Sequence, residues 1–167
     1  MIQLLNRLFK MWFKKKTPKK WEFGDKPIVK WCATNKTSYD METICKLILT
    51  QIFNINDISL IISTNDKLVK RFDKDNIEMQ AILQGYPDIK QYCLYLRSTA
   101  TDLLTIICHE MIHLSQYYRG DLRVVGTTFK WKGQDYNKIP YNDRPWEKEA
   151  FGNQSKIEKQ VKKLYYE

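Results

Sequence analysis

The sequence predicts an α+β domain in which a small, mostly antiparallel sheet packs against one buried helix. Three observations carry that expectation. The apolar run Leu103-Leu104-Thr105-Ile106-Ile107-Cys108 continues at helical spacing through Met111 and Leu114, as a helix packed on that side does. Just ahead of it, residues 77–84 and 90–97 read as two strands joined by Gly85-Tyr86-Pro87-Asp88, a turn by composition, and hence as an antiparallel hairpin. Downstream, Ile157, Val161 and Leu164 repeat on one face of a stretch opened by Pro145, a residue suited to the first turn of a helix.

With 167 residues, 43% of them hydrophobic, the chain can bury a single core. Its formal charge of +9 is spread unevenly. Lys10, Lys14, Lys15, Lys16, Lys19 and Lys20 crowd the start, and Lys156, Lys159, Lys162 and Lys163 crowd the end. Residues 1–20 therefore read as a basic appendage and residues 21–167 as one domain. Such ends suit an anionic membrane surface, nucleic acid or an acidic protein, although no nucleic-acid recognition motif accompanies them. Cys32, Cys45, Cys93 and Cys108 form no C-x-x-C pair and each is embedded in hydrophobic sequence. That argues against a zinc ribbon or a disulfide framework and for small buried side chains in a reducing compartment.

In chain order, residues 1–13 place Ile2, Leu5, Leu8, Phe9, Trp12 and Phe13 at helical spacing, giving an amphipathic helix. It is shorter than the roughly 20 apolar residues that cross a bilayer, and it lacks the order and cleavage site of a signal peptide. The expected location is accordingly the cytoplasm of a host cell or a virion. Thr17-Pro18 reads as a hinge, and the expected role of the helix is to bind an external partner: an assembly surface, such as that of a virion, or a membrane. Ile28 to Cys32 suggests a short strand, and Thr37 with Asp40 matches a capping box opening a helix to about Phe53. Residues 58–63 form a β-branched buried strand, and residues 64–75 read as a loop with one helical turn at residues 67–72. After the hairpin, Thr99 or Thr101 is the expected cap of the long helix, and Gly120 its end. Residues 122–125 and 127–132 look extended, Gly133 breaks the second, and Asp143 lies near the cap of the last helix.

The chain's two histidines sit together in the long helix, in His109-Glu110-Met111-Ile112-His113. A helix advances about 100° per residue, so two positions four apart share a face and can share one metal ion. This is the H-E-x-x-H pattern, in which the histidines bind zinc and the glutamate is the general base. Catalytic zinc normally takes three protein ligands. With no third histidine, a carboxylate must serve, and Glu147 and Glu149 are the candidates at the start of the last helix, Glu147 favoured because Ala150 lets that helix come close. Gln116, near His113, is a candidate to orient a ligand.

The run from Ile107 to Phe151, with HEMIH, Gln116, the extended FKWKGQDY at residues 129–136 and RPWEKEAF at residues 144–151, resembles the small SprT-like zinc metallopeptidases encoded by bacteriophages. It is also similar to gluzincins in offering a glutamate as third ligand, where the SprT proteins proper use a histidine. The resemblance implies a zincin-like fold whose edge strand holds an extended peptide, with His109, His113 and Glu147 on zinc and Glu110 as base. The implied activity is that of a zinc-dependent metalloendopeptidase acting on protein or peptide substrates. Tyr118, Tyr136 and Tyr141 are candidates to stabilise the oxyanion. The alternative is a virion structural or assembly protein that retains the zincin fold and binds through its basic N-terminus.

Overall fold

The computed structural model describes residues 26–73, 77–126, 128–136 and 139–167. The amphipathic stretch of residues 1–20 and its hinge lie outside these. Strand β1 (Ile28–Cys32) is followed by helix α1 (Met41–Leu47), which widens into a π-helical turn over Ile48–Ile52. Then come β2 (Ser59–Thr64), α2 (Asp66–Phe72), β3 (Ala81–Tyr86), β4 (Gln91–Leu96) and the long α3 (Leu103–Arg119). Three short strands, β5 (Leu122–Val125), β6 (Thr128–Trp131) and β7 (Gln134–Tyr136), lead into α4 (Pro145–Tyr166). Mixed α+β architecture is thus present, with two small sheets.

The sheet that backs the helices departs from the antiparallel expectation. Its order is β1-β2-β4-β3, with β1, β2 and β4 parallel and only β3 antiparallel. The hairpin of β3 and β4 forms as the sequence suggests; β1 and β2 are parallel because α1 carries the chain back to the start of β2, and β2 and β4 are parallel because α2 and then β3 do the same before β4. The all-antiparallel part is the separate β5-β6-β7 meander. One face of the main sheet, including Val29, Leu60, Ile62, Leu94 and Leu83, packs with α1, α3 and α4 into the main core.

Local signals resolve differently at four places. Asp40, rather than Thr37, caps α1: its carboxylate accepts from the backbone of Glu42 and Thr43, while Thr37 accepts from Tyr39. The segment after β2 is helical because the Asn65 side chain accepts from Leu68 N–H and Asp66 enters the first turn. Gly85 and Tyr86 belong to β3, and the turn is made by Pro87–Ile89 with Lys90 left-handed at φ 52°. Gly85 suits its place because a Cβ there would meet the Tyr92 ring at 3.0 Å and Tyr117 at 3.2 Å. Neither Thr99 nor Thr101 caps α3; Asp102 holds the cap position, without a side-chain cap bond. Gly120 ends the helix with φ 76°, as expected.

Candidate metal centre

Helix α3 is held in place by its apolar face. Ile107, Cys108, Met111 and Leu114 are fully buried, each worth about 1.5–3 kcal/mol for a large side chain. With that face fixed against the sheet, the opposite side points His109 and His113 at α4. Helix α4 presents Glu147, Ala150, Phe151 and Gln154, spaced three, four and seven residues from the glutamate and so on one stripe. Ala150 is fully buried, and a methyl group at that crossing lets the two helices approach.

The result is a cluster of three donors. The Nε2 atoms of His109 and His113 lie 3.1 Å apart, and Oε2 of Glu147 lies 3.3 Å from each. All three side chains are buried, and among the described residues this is the one group of three able to share an ion. A tetrahedron with its centre about 2.0–2.1 Å from each corner has edges of roughly 3.3–3.4 Å, close to the observed triangle. Glu149, two residues away, instead pairs with Arg119 at 3.0 Å.

The next layer decides which nitrogen faces the cluster. His113 Nδ1 lies 2.8 Å from Oε1 of Gln116, whose Nε2 donates to the carbonyl of Trp146 at 3.0 Å. That second bond orients the amide, so its oxygen accepts from Nδ1–H and Nε2 is left with its lone pair. His109 Nδ1 lies 2.9 Å from Oε1 of Gln154 and is held in the same tautomer. Two imidazole lone pairs and a carboxylate therefore converge with no proton among them, and Oε2 of Glu147 has no hydrogen-bond donor. A shared cation satisfies all three; without one, a proton must enter. Burial alone would lower the pKa of His113, but the Glu147 carboxylate more than reverses this, holding it at about 9. Burial pushes the Glu147 carboxyl up, and the two histidines and the Tyr141 hydroxyl outweigh it, keeping the group well below the usual carboxylate range.

Glu110 stands beside the cluster, buried between α3 and the edge strand β3. Burial raises its pKa, against the pull of His113 and His109, and the Leu83 backbone N–H faces its carboxylate. Of the three candidate tyrosines, Tyr141 reaches the centre, hydrogen-bonding to Glu147. Tyr118 donates to Asp57 at 2.9 Å, and Tyr136 packs edge-on against Trp146. The ring of Phe151 lies 4.6 Å from that of His109 and is half exposed, forming one wall of the site.

Gln154 was not among the residues singled out from the sequence, though its place two turns beyond Glu147 on the same stripe is a readable signal. Its role is checkable. Gln154→Ala should weaken metal binding about 10- to 100-fold, the usual cost of losing such a partner, whereas Gln154→Glu, which still accepts from Nδ1–H, should not. A competition titration against a chromophoric chelator measures both. No family model matches this chain, and neither a curated protein nor a solved structure matches it.

Proposed function

We propose that this protein is a zinc-dependent endopeptidase that takes an extended peptide along β3 and hydrolyses it with Glu110 as general base. The observation that carries the reading is the triangle of His109, His113 and Glu147, at tetrahedral spacing, with a buried carboxylate next to it. Zinc, when bound, supplies Lewis acidity that polarises the peptide carbonyl and acidifies a water. Glu110 takes the proton from the attacking water and delivers it to the leaving amine; burial moves its pKa towards the range in which a carboxylate serves as a base near neutrality. Tyr141, whose hydroxyl is kept protonated by burial and by Glu147, would turn its O–H from Glu147 to the oxyanion.

Strand β3 supplies the substrate platform. Gln80 pairs towards β4 through its carbonyl, so Ala81 and Gly85, of opposite parity, turn their backbone groups outward at the edge, while between them the Leu83 N–H is held by Glu110. An added peptide strand pairs with such an edge through main-chain bonds. The resemblance of HEMIH and RPWEKEAF to SprT-like phage peptidases and gluzincins supports the same reaction, with virion or host proteins as substrates. Among the described residues no helix is long and apolar enough to cross a membrane.

The test is metal analysis of the purified protein followed by digestion of a peptide library, with chelation and zinc restoration. Stoichiometric zinc with no cleavage would make the ion structural and end the proposal.

Metal binding should also be steeply pH-dependent. In the metal-free protein the ion must displace the proton that Glu147 holds on His113 at about 9. Apparent affinity should rise about tenfold per pH unit up to that point and then level. The stabilities run oppositely. The raised His113 pKa contributes stability present below about 6.5 and lost as pH rises through about 9, so the metal-free protein weakens over the window in which the metal binds more tightly. The zinc-induced gain in melting temperature should therefore be larger at pH 8.5 than at 6.5; a pH-independent gain would contradict the pairing.

A further inference from the structure

The layer formed by α1, α3 and α4 covers one face of the main sheet only. The other face carries an apolar strip, Ile28 of β1, Ile61 of β2, and Cys93 and Tyr95 of β4, beside the polar Lys30, Ser59, Ser63 and Gln84. Ile28 is 38% and Ile61 43% exposed. Helix α2 packs on β3 and β4, outside the main core. Exposed apolar side chains such as Ile28 and Ile61 gain by being covered. We infer that the amphipathic segment of residues 1–13 of this same chain covers this face, so that the domain is completed by its own N-terminus.

Position, length and charge support that occupant. The segment joins the domain just before β1, at the edge of the sheet where Ile28 is exposed. A helix of 12 residues is about 18 Å long, and four strands span roughly 14 Å. The intervening residues 14–27 can extend to about 45 Å, so the tether reaches any part of the face. The stripe of Ile2, Leu5, Leu8, Phe9 and Trp12 then meets Ile61 and Tyr95. The outward side chains of the four strands include no carboxylate and do include Lys30, so the lysines of the segment are turned away from the sheet. A basic helix that closes its own domain differs from the free partner-binding appendage that the sequence suggests.

The test uses the full chain. Ile61→Asp should lower the melting temperature by about 5 °C or more and speed maleimide labelling of Cys93 at least about tenfold, and Leu8→Asp should do the same. The double variant should add little, because both break one contact. Melting temperature and labelling unchanged in both single variants would overturn the inference. Self-association lost on Ile61→Asp would assign the face to a second copy, and Cys93 protection appearing only with anionic vesicles would assign it to a membrane; either overturns it too. Should the aspartate variants fail to fold, Phe9→Cys with Ile61→Cys, made together with Cys32→Ser and Cys93→Ser, settles the matter under mild oxidation: an intramolecular disulfide mapped to positions 9 and 61 in the monomer supports the inference, and its absence overturns it.

Discussion

Glu110→Gln should lower peptide hydrolysis by about 10²–10⁴-fold while leaving metal content unchanged. Glutamine keeps the size of the side chain but cannot take a proton. The cluster itself is untouched, because its three donors come from His109, His113 and Glu147. The substitution should also be tolerated by the fold: burial already disfavours the charged form of Glu110, and a neutral amide oxygen can still face the Leu83 N–H. Steady-state cleavage of a peptide found in the library digest, alongside metal analysis of the same preparation, makes the measurement. Cleavage at the parental rate would remove Glu110 from the mechanism, whereas loss of metal in step with activity would make it a structural neighbour of the site.

The second large effect separates two glutamates that differ by two positions. Glu147→Ala removes a corner of the donor triangle and should weaken zinc binding by more than about 100-fold, beyond what loss of an outer partner costs. It also removes the charge that holds His113 protonated, so the metal-free variant should lose the alkaline dependence described above. Glu149→Ala removes only a partly exposed ion pair with Arg119, worth at most about 1 kcal/mol, and should bind zinc as the parent does. Equal loss in both variants would mean that the start of α4 moves on binding and that the 3.3 Å contacts of Glu147 are not those of a ligand.

Much of the centre was legible because its chemistry is local. Two histidines four apart need only helical geometry to share a face; the choice of Glu147 over Glu149 followed from Ala150, one turn beyond Glu147, and the 200° between the two acids meant that only one could face the ion. The hairpin of β3 and β4 was legible for the same reason. The order of the main sheet was not. Strand direction is set by which way the intervening chain returns, and the β-branched run at residues 58–63 fits a strand of either direction. The caps failed where several small polar residues competed: Thr37 and Asp40 both offer an oxygen, and only the backbone decides that Asp40 receives the two N–H groups. Gln154 was missed because its significance depends on the packing of α4 against α3.

The satellite core under Trp146 bears on time rather than affinity. Leu122, Trp131 and Trp146 form a small cluster apart from the main core, with Phe129 stacked on Trp146 at 5.3 Å. Trp146 is the residue before Glu147, and its carbonyl is the one that Gln116 holds. A three-stranded meander with so small a core should open more often than the main sheet. Each opening would loosen the start of α4 and withdraw Glu147, leaving a bound ion with the two histidines alone. The dwell time of such an ion should then follow the opening rate of β5, β6 and β7. Destabilising that meander far from the donors, as with Trp131→Leu, should speed metal release more than it slows capture. Exchange of its amide hydrogens should keep pace with the release rate.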